Sequence, residues 1–312
     1  MVTGQIDRPL YKKSFFNKFK KSLPYYIIIL LPLLYLIVFK YVPMYGIQIG
    51  FKDYRVSKGI FASPWAGLKY FEMFFNSPSF WNILYNTISI SLYSLIAGFP
   101  LAIILAIALN ECQVRKFRKT VQMVTYMPYF ISTVVIVSMI MQFTDLQSGF
   151  VSQFIRLLGG HPKNIMGMSE YFKSLYVWTG VWQSTGYTAI IFLAALSGIS
   201  TELREAAIVD GASKFKRVLH IDLPGIAPTI IILLILNMGY IMSLGFEKVY
   251  LMQNSLNAQS SEIISTYLYK VGLLNVNYSL ATAIGLFNSI VNLVMLVFCN
   301  SLSKKYNDTS LW

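Results

Sequence analysis

The sequence predicts an all-α polytopic membrane protein with six transmembrane helices, and three observations carry that prediction. Of the 312 residues, 55% are hydrophobic and only 12% are charged, where soluble domains carry about 25% charged residues. The apolar residues fall in runs close to the ~20 residues a helix needs to cross a bilayer. The bases lie between those runs and not along one polar face. The net charge of +13 therefore reads as membrane topology, not as a nucleic-acid surface.

Residues 1–24 form a basic segment in which Arg8, Lys12, Lys13, Lys18, Lys20 and Lys21 face one acid, Asp7. It reads as a topogenic tail that stays inside. Phe15, Phe16 and Phe19 also allow an interfacial helix lying on anionic lipid. The body of the chain, 25–302, holds six expected spans at 25–49, 85–109, 120–143, 174–197, 227–247 and 280–302. No small-x-small cleavage site follows the first run, so it is expected to stay as a span. Pro43 stands near that span's outer end, and Pro100 and Pro128 should kink the second and third. The loop 50–84 is rich in rings: Trp65, Tyr70, Phe71, Phe74, Phe75, Phe80 and Trp81. They suit a membrane interface, a cap on a substrate path or a partner surface. Residues 303–312 form a short tail with Lys304 and Lys305.

Charge sets the orientation. With both ends in the cytoplasm, the inner segments hold sixteen of the 26 Lys and Arg, and the much longer outer segments hold ten, counting Lys40 in the outer part of the first span. That matches the positive-inside rule. Cys112 and Cys299 then fall on the inner side, where free thiols are expected. The span cores after the first carry no Asp, Glu, Lys or Arg. An ion-coupled carrier needs a titrating carboxylate there despite its cost, so energy is expected from elsewhere.

The stretch from Thr201 to Pro228 mixes four acids, four bases and His220 between two apolar runs. Thr201 can cap a helix whose first turn holds Glu202 and Glu205, as the helix dipole favours. Ala206 and Ala207 leave room for another surface to approach. Gly211 can end that helix in the left-handed conformation, and Ser213 can cap a second short helix to about Leu219. Pro224 and Pro228 then reset the chain before the next run. His220 reads as a partly exposed loop residue.

No phosphate-binding Gly-x-x-x-x-Gly-Lys-Ser/Thr loop, nucleophile elbow, His-Glu-x-x-His pair or metal-ligand spacing occurs. The chain is not expected to be an enzyme. Uncharged polar residues do occur inside the spans. Trp178, Trp182, Gln183, Ser184 and Tyr187 precede the charged stretch; Asn237, Tyr240 and Ser243 follow it; Asn288 and Asn292 share a face of the last span. Amides, phenols and rings suit a hydroxyl-rich ligand. Equally, such groups bond helices to one another in lipid.

The charged stretch also resembles a known family. Glu205, Ala206, Ala207, Gly211, Ile221, Leu223 and Pro224 stand in the pattern EAA, three residues, G, nine residues, I-x-L-P. This is similar to the cytoplasmic coupling loop of permease subunits of binding-protein-dependent ABC importers, here between spans four and five (201–224). Val218 departs from the pattern, since an aromatic is common there. Tyr41 to Tyr54, Gly59-Ile60, Trp65 to Leu68 and Asn86-Thr87 resemble the maltose-type permeases of Gram-positive bacteria for complex oligosaccharides. The resemblance implies a multi-pass subunit of a bacterial plasma membrane. It implies a second permease subunit as heterodimer partner, two ATPase subunits carrying ATP and Mg, an extracellular lipid-anchored binding protein and an oligosaccharide substrate. No cofactor is implied in this chain. In that family Glu205 meets a basic group of the ATPase, and sugar contacts lie where Gln183, Tyr187, Asn237 and Tyr240 stand here. An importer for another solute, or a channel or scaffold without ATP coupling, stays open on the residues alone.

Overall fold

The computed structural model describes residues 15–307 and 310–312, with side chains from Lys20 to Lys305 and from Ser310 to Trp312. Arg8, Lys12, Lys13 and the side chains of Phe15, Phe16, Lys18 and Phe19 lie outside that description. Among the described residues the chain is helical, with one isolated bridge between Lys52 and Trp65.

The first helix, α1 (Phe15–Leu36), runs on through a π turn at Ile37–Tyr41 and a tighter stretch at Tyr45–Phe51. Next come α2 (Phe80–Glu111), α3 (Arg115–Tyr126), α4 (Thr133–Phe143) and α5 (Ser169–Ser197). The loop helix α6 (Thr201–Val209) leads to α7 (Lys214–Gly239) and finally α8 (Tyr278–Asn307). Among the described residues, four helices are long and apolar enough to cross a membrane, and the count rises to six if each of two bent pairs is one crossing.

Two of the expected spans differ from the helices. The third is broken: α3 and its turn Met127–Phe130 meet α4 at 99°. Pro128 does not merely kink a straight rod, because Ile131 to Ser132 leave the helix altogether. The freed Ile131 carbonyl accepts from Gln183 Nε2 at 3.3 Å, as broken membrane helices require. The fifth ends at Gly239, short of 247. There the turn is held from outside: Asn292 Oδ1 accepts from Met242 N at 3.0 Å, and Asn292 Nδ2 donates to Ser243 Oγ at 2.8 Å. Pro100, by contrast, lies within an unbroken α2.

One of three buried clusters among the described residues lies between α2 and α5. Ala102, Ala106 and Ala189 are fully buried, which lets the two backbones approach; Phe192 fills the space beside them, edge-on to Phe99. Gly186 marks the closest approach of α3 and α5, since any β-carbon there would collide with the Thr125 carbonyl.

The ring-rich loop 50–84 packs on α8. Phe74 is buried in a cluster with Phe75, Phe80 and Phe287. Tyr54 N donates to Ser279 Oγ, whose hydroxyl in turn donates to the Lys52 carbonyl at 2.6 Å. Asp53 takes Lys69 Nζ at 2.8 Å and Tyr70 OH at 2.7 Å. At the same end of the bundle Asn82 and Asn86 reach the Gln259 carbonyl, and Thr87 Oγ1 accepts from Ile264 N. The two segments 50–84 and 248–279 thus close one end, and the loop between α5 and α7 projects from the other.

Candidate functional site

The loop at that other end is built from helix-end chemistry. Ser200, not Thr201, is the N-cap of α6: its side chain accepts from Glu202 N, and Thr201 is already helical. At the far end Gly211 has φ +73°. Gly211 N donates to the Ile208 carbonyl at 3.0 Å, and Ala212 N donates to the Ala207 carbonyl at 2.9 Å. This pair of bonds is the Schellman closure, which demands a left-handed residue at that position. The spacing from Ala207 to Gly211 therefore follows from the bonds that end the helix.

Ser213 caps the next helix, accepting from Lys216 N. That helix does not stop near Leu219. It continues through a π turn at Val218–Asp222 into the long apolar segment, so α7 is one rod to Gly239. Pro224 sits at the first positions after the π turn, where its missing N–H is tolerated. The prolines therefore do not separate knob from span, as a reset would have done; the two are continuous. α6 leaves α5 at 74°. Between α6 and α7 lies a hollow lined by Ala207, Ala212, Lys216, Arg217, His220 and Ile221. Glu205 and Ala206 are exposed. Around them Val209 (86% exposed), Phe215 (76%) and Ile208 stand open. Apolar side chains this exposed on a charged loop suit a protein partner.

The second feature is a cavity of about 320 Å³ between α2, α5 and the end of α7. Ser91, Ser94, Gly98 and Phe99 line it from α2, and Ser184, Thr185 and Thr188 from α5. Asn237, Tyr240 and the turn Ser243–Gly245 complete the wall. No ionisable carboxylate or amine is among its lining residues. The hydroxyls of Ser91, Ser94 and Thr185 are buried with no hydrogen-bond partner. Serines in membrane helices usually bond the carbonyl one turn back, so these three are set apart. Asn237 Nδ2 donates to the Leu233 carbonyl at 2.7 Å, which leaves its oxygen free of that bond.

Of the polar residues singled out in the spans, Ser184, Asn237, Tyr240 and Ser243 line this cavity. Gln183 and Tyr187 instead support the broken span: Gln183 bonds Ile131, and Tyr187 stacks flat on Tyr129 with centroids 3.8 Å apart. Trp182 lines an apolar hollow beside α4 with Ile136 and Phe143. Asn292 holds the turn after α7, and Asn288 lies in a separate hollow with Phe246 and Ser265. Ser91, Ser94, Thr185 and Thr188 were not foreseen. A stripe of small residues on one face of α2, Ser91, Ser94 and Gly98, was the available signal.

Residues 98–308 match the family described as binding-protein-dependent transport system inner membrane component, a span that holds the C-terminal part of α2 and everything from α3 through α8. The polygalacturonan/rhamnogalacturonan transport system permease protein YteP of Bacillus subtilis (strain 168) is 39% identical over 287 residues, covering 92% of this chain and 89% of that protein. Protein LplB of the same organism is also 39% identical, over 92% and 90% of the two chains. A chain of the bacterial alginate ABC transporter, solved in complex with an alginate pentasaccharide-bound periplasmic protein, superposes with a TM-score of 0.88 at 33% identity, covering 95% of this chain and 99% of that one. With relatives matched almost end to end, the chain belongs to the family of binding-protein-dependent transport system inner membrane components, membrane-spanning subunits of the bacterial plasma membrane.

Proposed function

We propose that this chain forms half of the translocation path of an ATP-driven oligosaccharide importer and is driven by a separate ATPase through the α6–α7 loop. The observation that carries the reading is the cavity. Its unpartnered hydroxyls, the Asn237 amide and the Tyr240 ring offer donors, acceptors and a flat face, with no ionised group among the lining residues. That chemistry suits the hydroxyls and C–H faces of a sugar. The names of YteP and of the alginate transporter, both tied to polymeric sugars, support the same substrate class.

At about 320 Å³ the cavity is at the small end of the ~300–1,000 Å³ typical of ligand pockets. A second, similar permease subunit would complete the path. The Schellman-closed knob would dock in a cleft of the ATPase, with Glu205 against a basic group and Val209, Ile208 and Phe215 covered. Two ATPases, each with ATP and Mg, would sit on the two knobs. Their closure on ATP would draw the knobs together and open the path outward, and hydrolysis would reverse it. In this reading the chain crosses six times, the loop and both termini are cytoplasmic, and the end closed by 50–84 and 248–279 receives the sugar-loaded, lipid-anchored binding protein.

Reconstitution of the chain with the second permease, ATPase and binding protein in lipid nanodiscs tests the reading. Oligosaccharide-loaded binding protein should stimulate ATP hydrolysis. Purification without any ATPase would favour a channel or scaffold, and stimulation only by peptides or amino acids would assign another solute.

A further inference from the structure

We infer that Arg204 and Asp222, with Asn110, Glu111 and Arg217, fasten the α6–α7 loop to the end of α2, so that loop and cavity wall move as one body. The inference rests on the reading of that loop as the ATPase contact. Asp222 is only 1% exposed, and its Oδ1 accepts from Arg204 Nη2 at 2.6 Å. Asp222 occupies the variable position between Ile221 and Leu223, where the loop's residue pattern specifies nothing. The same guanidinium faces Asn110 at the end of α2. With its amide turned so that oxygen faces the arginine, Asn110 accepts from Nη2 at 2.9 Å and Nη1 at 3.1 Å. One residue on, Glu111 Oε2 lies 3.6 Å from Arg217 Nη2, and Arg217 Nη1 donates to the Ala212 carbonyl.

Each arm of the loop thus sends one arginine to the same end of α2. Arg204 also pins α6 to the π turn within α7. Further along, α2 carries Ser91 and Ser94 near its middle, and α7 ends at Asn237 and the following Tyr240, all four lining the cavity. A push on the knob is therefore delivered to two walls of the cavity, not absorbed by loop bending. A buried ion pair is a poor device for stability, because desolvation offsets its attraction. It does fix geometry, since neither partner tolerates losing the other. Arg204 and Asp222 are in this sense positioning residues.

The test uses the complete transporter in nanodiscs and reads two quantities: ATPase retained per permease, and sugar moved per ATP hydrolysed. The paired change Arg204→Met with Asp222→Leu removes both charges at once, so neither is left buried alone. It should keep the ATPase and lower sugar moved per ATP about ten-fold, within the usual range of coupling factors. Glu111→Arg, at a position 22% exposed, should lower the same ratio by repelling Arg217; adding Arg217→Glu should restore it. That second pair decides the matter if the first does not assemble. A wild-type ratio in Glu111→Arg with the ATPase retained, or an Arg217→Glu partner that restores nothing, overturns the inference. Failure of the unmodified chain to retain any ATPase overturns the functional reading beneath it instead.

Discussion

Gly211 offers the sharpest test of the knob. A β-carbon there meets nothing within 4 Å, so substitution acts through the backbone alone. At φ +73° an ordinary L-residue is disfavoured by about 1–2 kcal/mol. That shifts the loop's closed population by roughly 5–30-fold unless other ties hold it. The Ser213 cap and the Arg204–Asp222 pair are such ties, so Gly211→Ala should impair coupling only in part. Gly211→Asn should be near wild type, because Asn visits the left-handed region. Gly211→Pro fixes φ near −65° and removes the N–H that donates to Ile208 at 3.0 Å; it cannot keep the closure. The expected order of binding-protein-stimulated ATP hydrolysis is Gly, Asn, Ala, then Pro with almost none. Membrane yield and the melting temperature of the solubilised chain serve as controls, and both should stay close to wild type. Full stimulation in Gly211→Pro, or an Asn variant no better than the Pro variant, would refute the argument.

Two further outcomes are expected. Asn237→Ala should weaken sugar uptake with the assembly intact, because it removes an amide from the cavity wall; Tyr187→Ala should also weaken it, through the stack on Tyr129 and the broken span, and unchanged uptake kinetics in both would leave these groups as helix-to-helix bonds only. Gly186→Val should lower the melting temperature, since a side chain against the Thr125 carbonyl forces α3 from α5 at about 1–3 kcal/mol; an unshifted melting curve would show that the two helices do not meet there.

The helices were legible where a run of apolar residues is its own signal, as in α2, α5 and α8. They were misread where a distant side chain decides. The run from 227 to 247 is apolar as far as Leu236, and Asn237, Gly239, Ser243 and Gly245 that follow are residues a membrane helix also tolerates. Asn292, on a helix fifty residues further on, supplies the bonds that make the turn tolerable in the membrane. Pro128 was visible as a kink, but the 99° break depends on Gln183 and Tyr187 from α5. The same long-range pairing engages residues expected along the substrate path. Gln183, Tyr187 and Asn292 looked like ligand contacts because a polar side chain in a span must bond something, and sequence alone does not say what. The rings of 50–84 admitted three readings, and the docking on Phe287 and Ser279 that was found is again non-local.

The loop shows the same division at close range. Its residue pattern is readable because its spacing is short-range stereochemistry: Gly211 must follow Ala207 by four for Ala212 to reach the Ala207 carbonyl. That geometry says where a rigid knob is and which face it presents. It is silent on what the knob is fastened to, since Asn110 and Glu111 belong to a different helix, and it is silent at Asp222, the most deeply buried charge of the stretch. A lever needs both a rigid head and a rigid mount. The head is written in local spacing; the mount emerges only when α2, α6 and α7 are brought together. Substitutions that spare every residue of the local pattern should therefore still uncouple the lever if they loosen its mount.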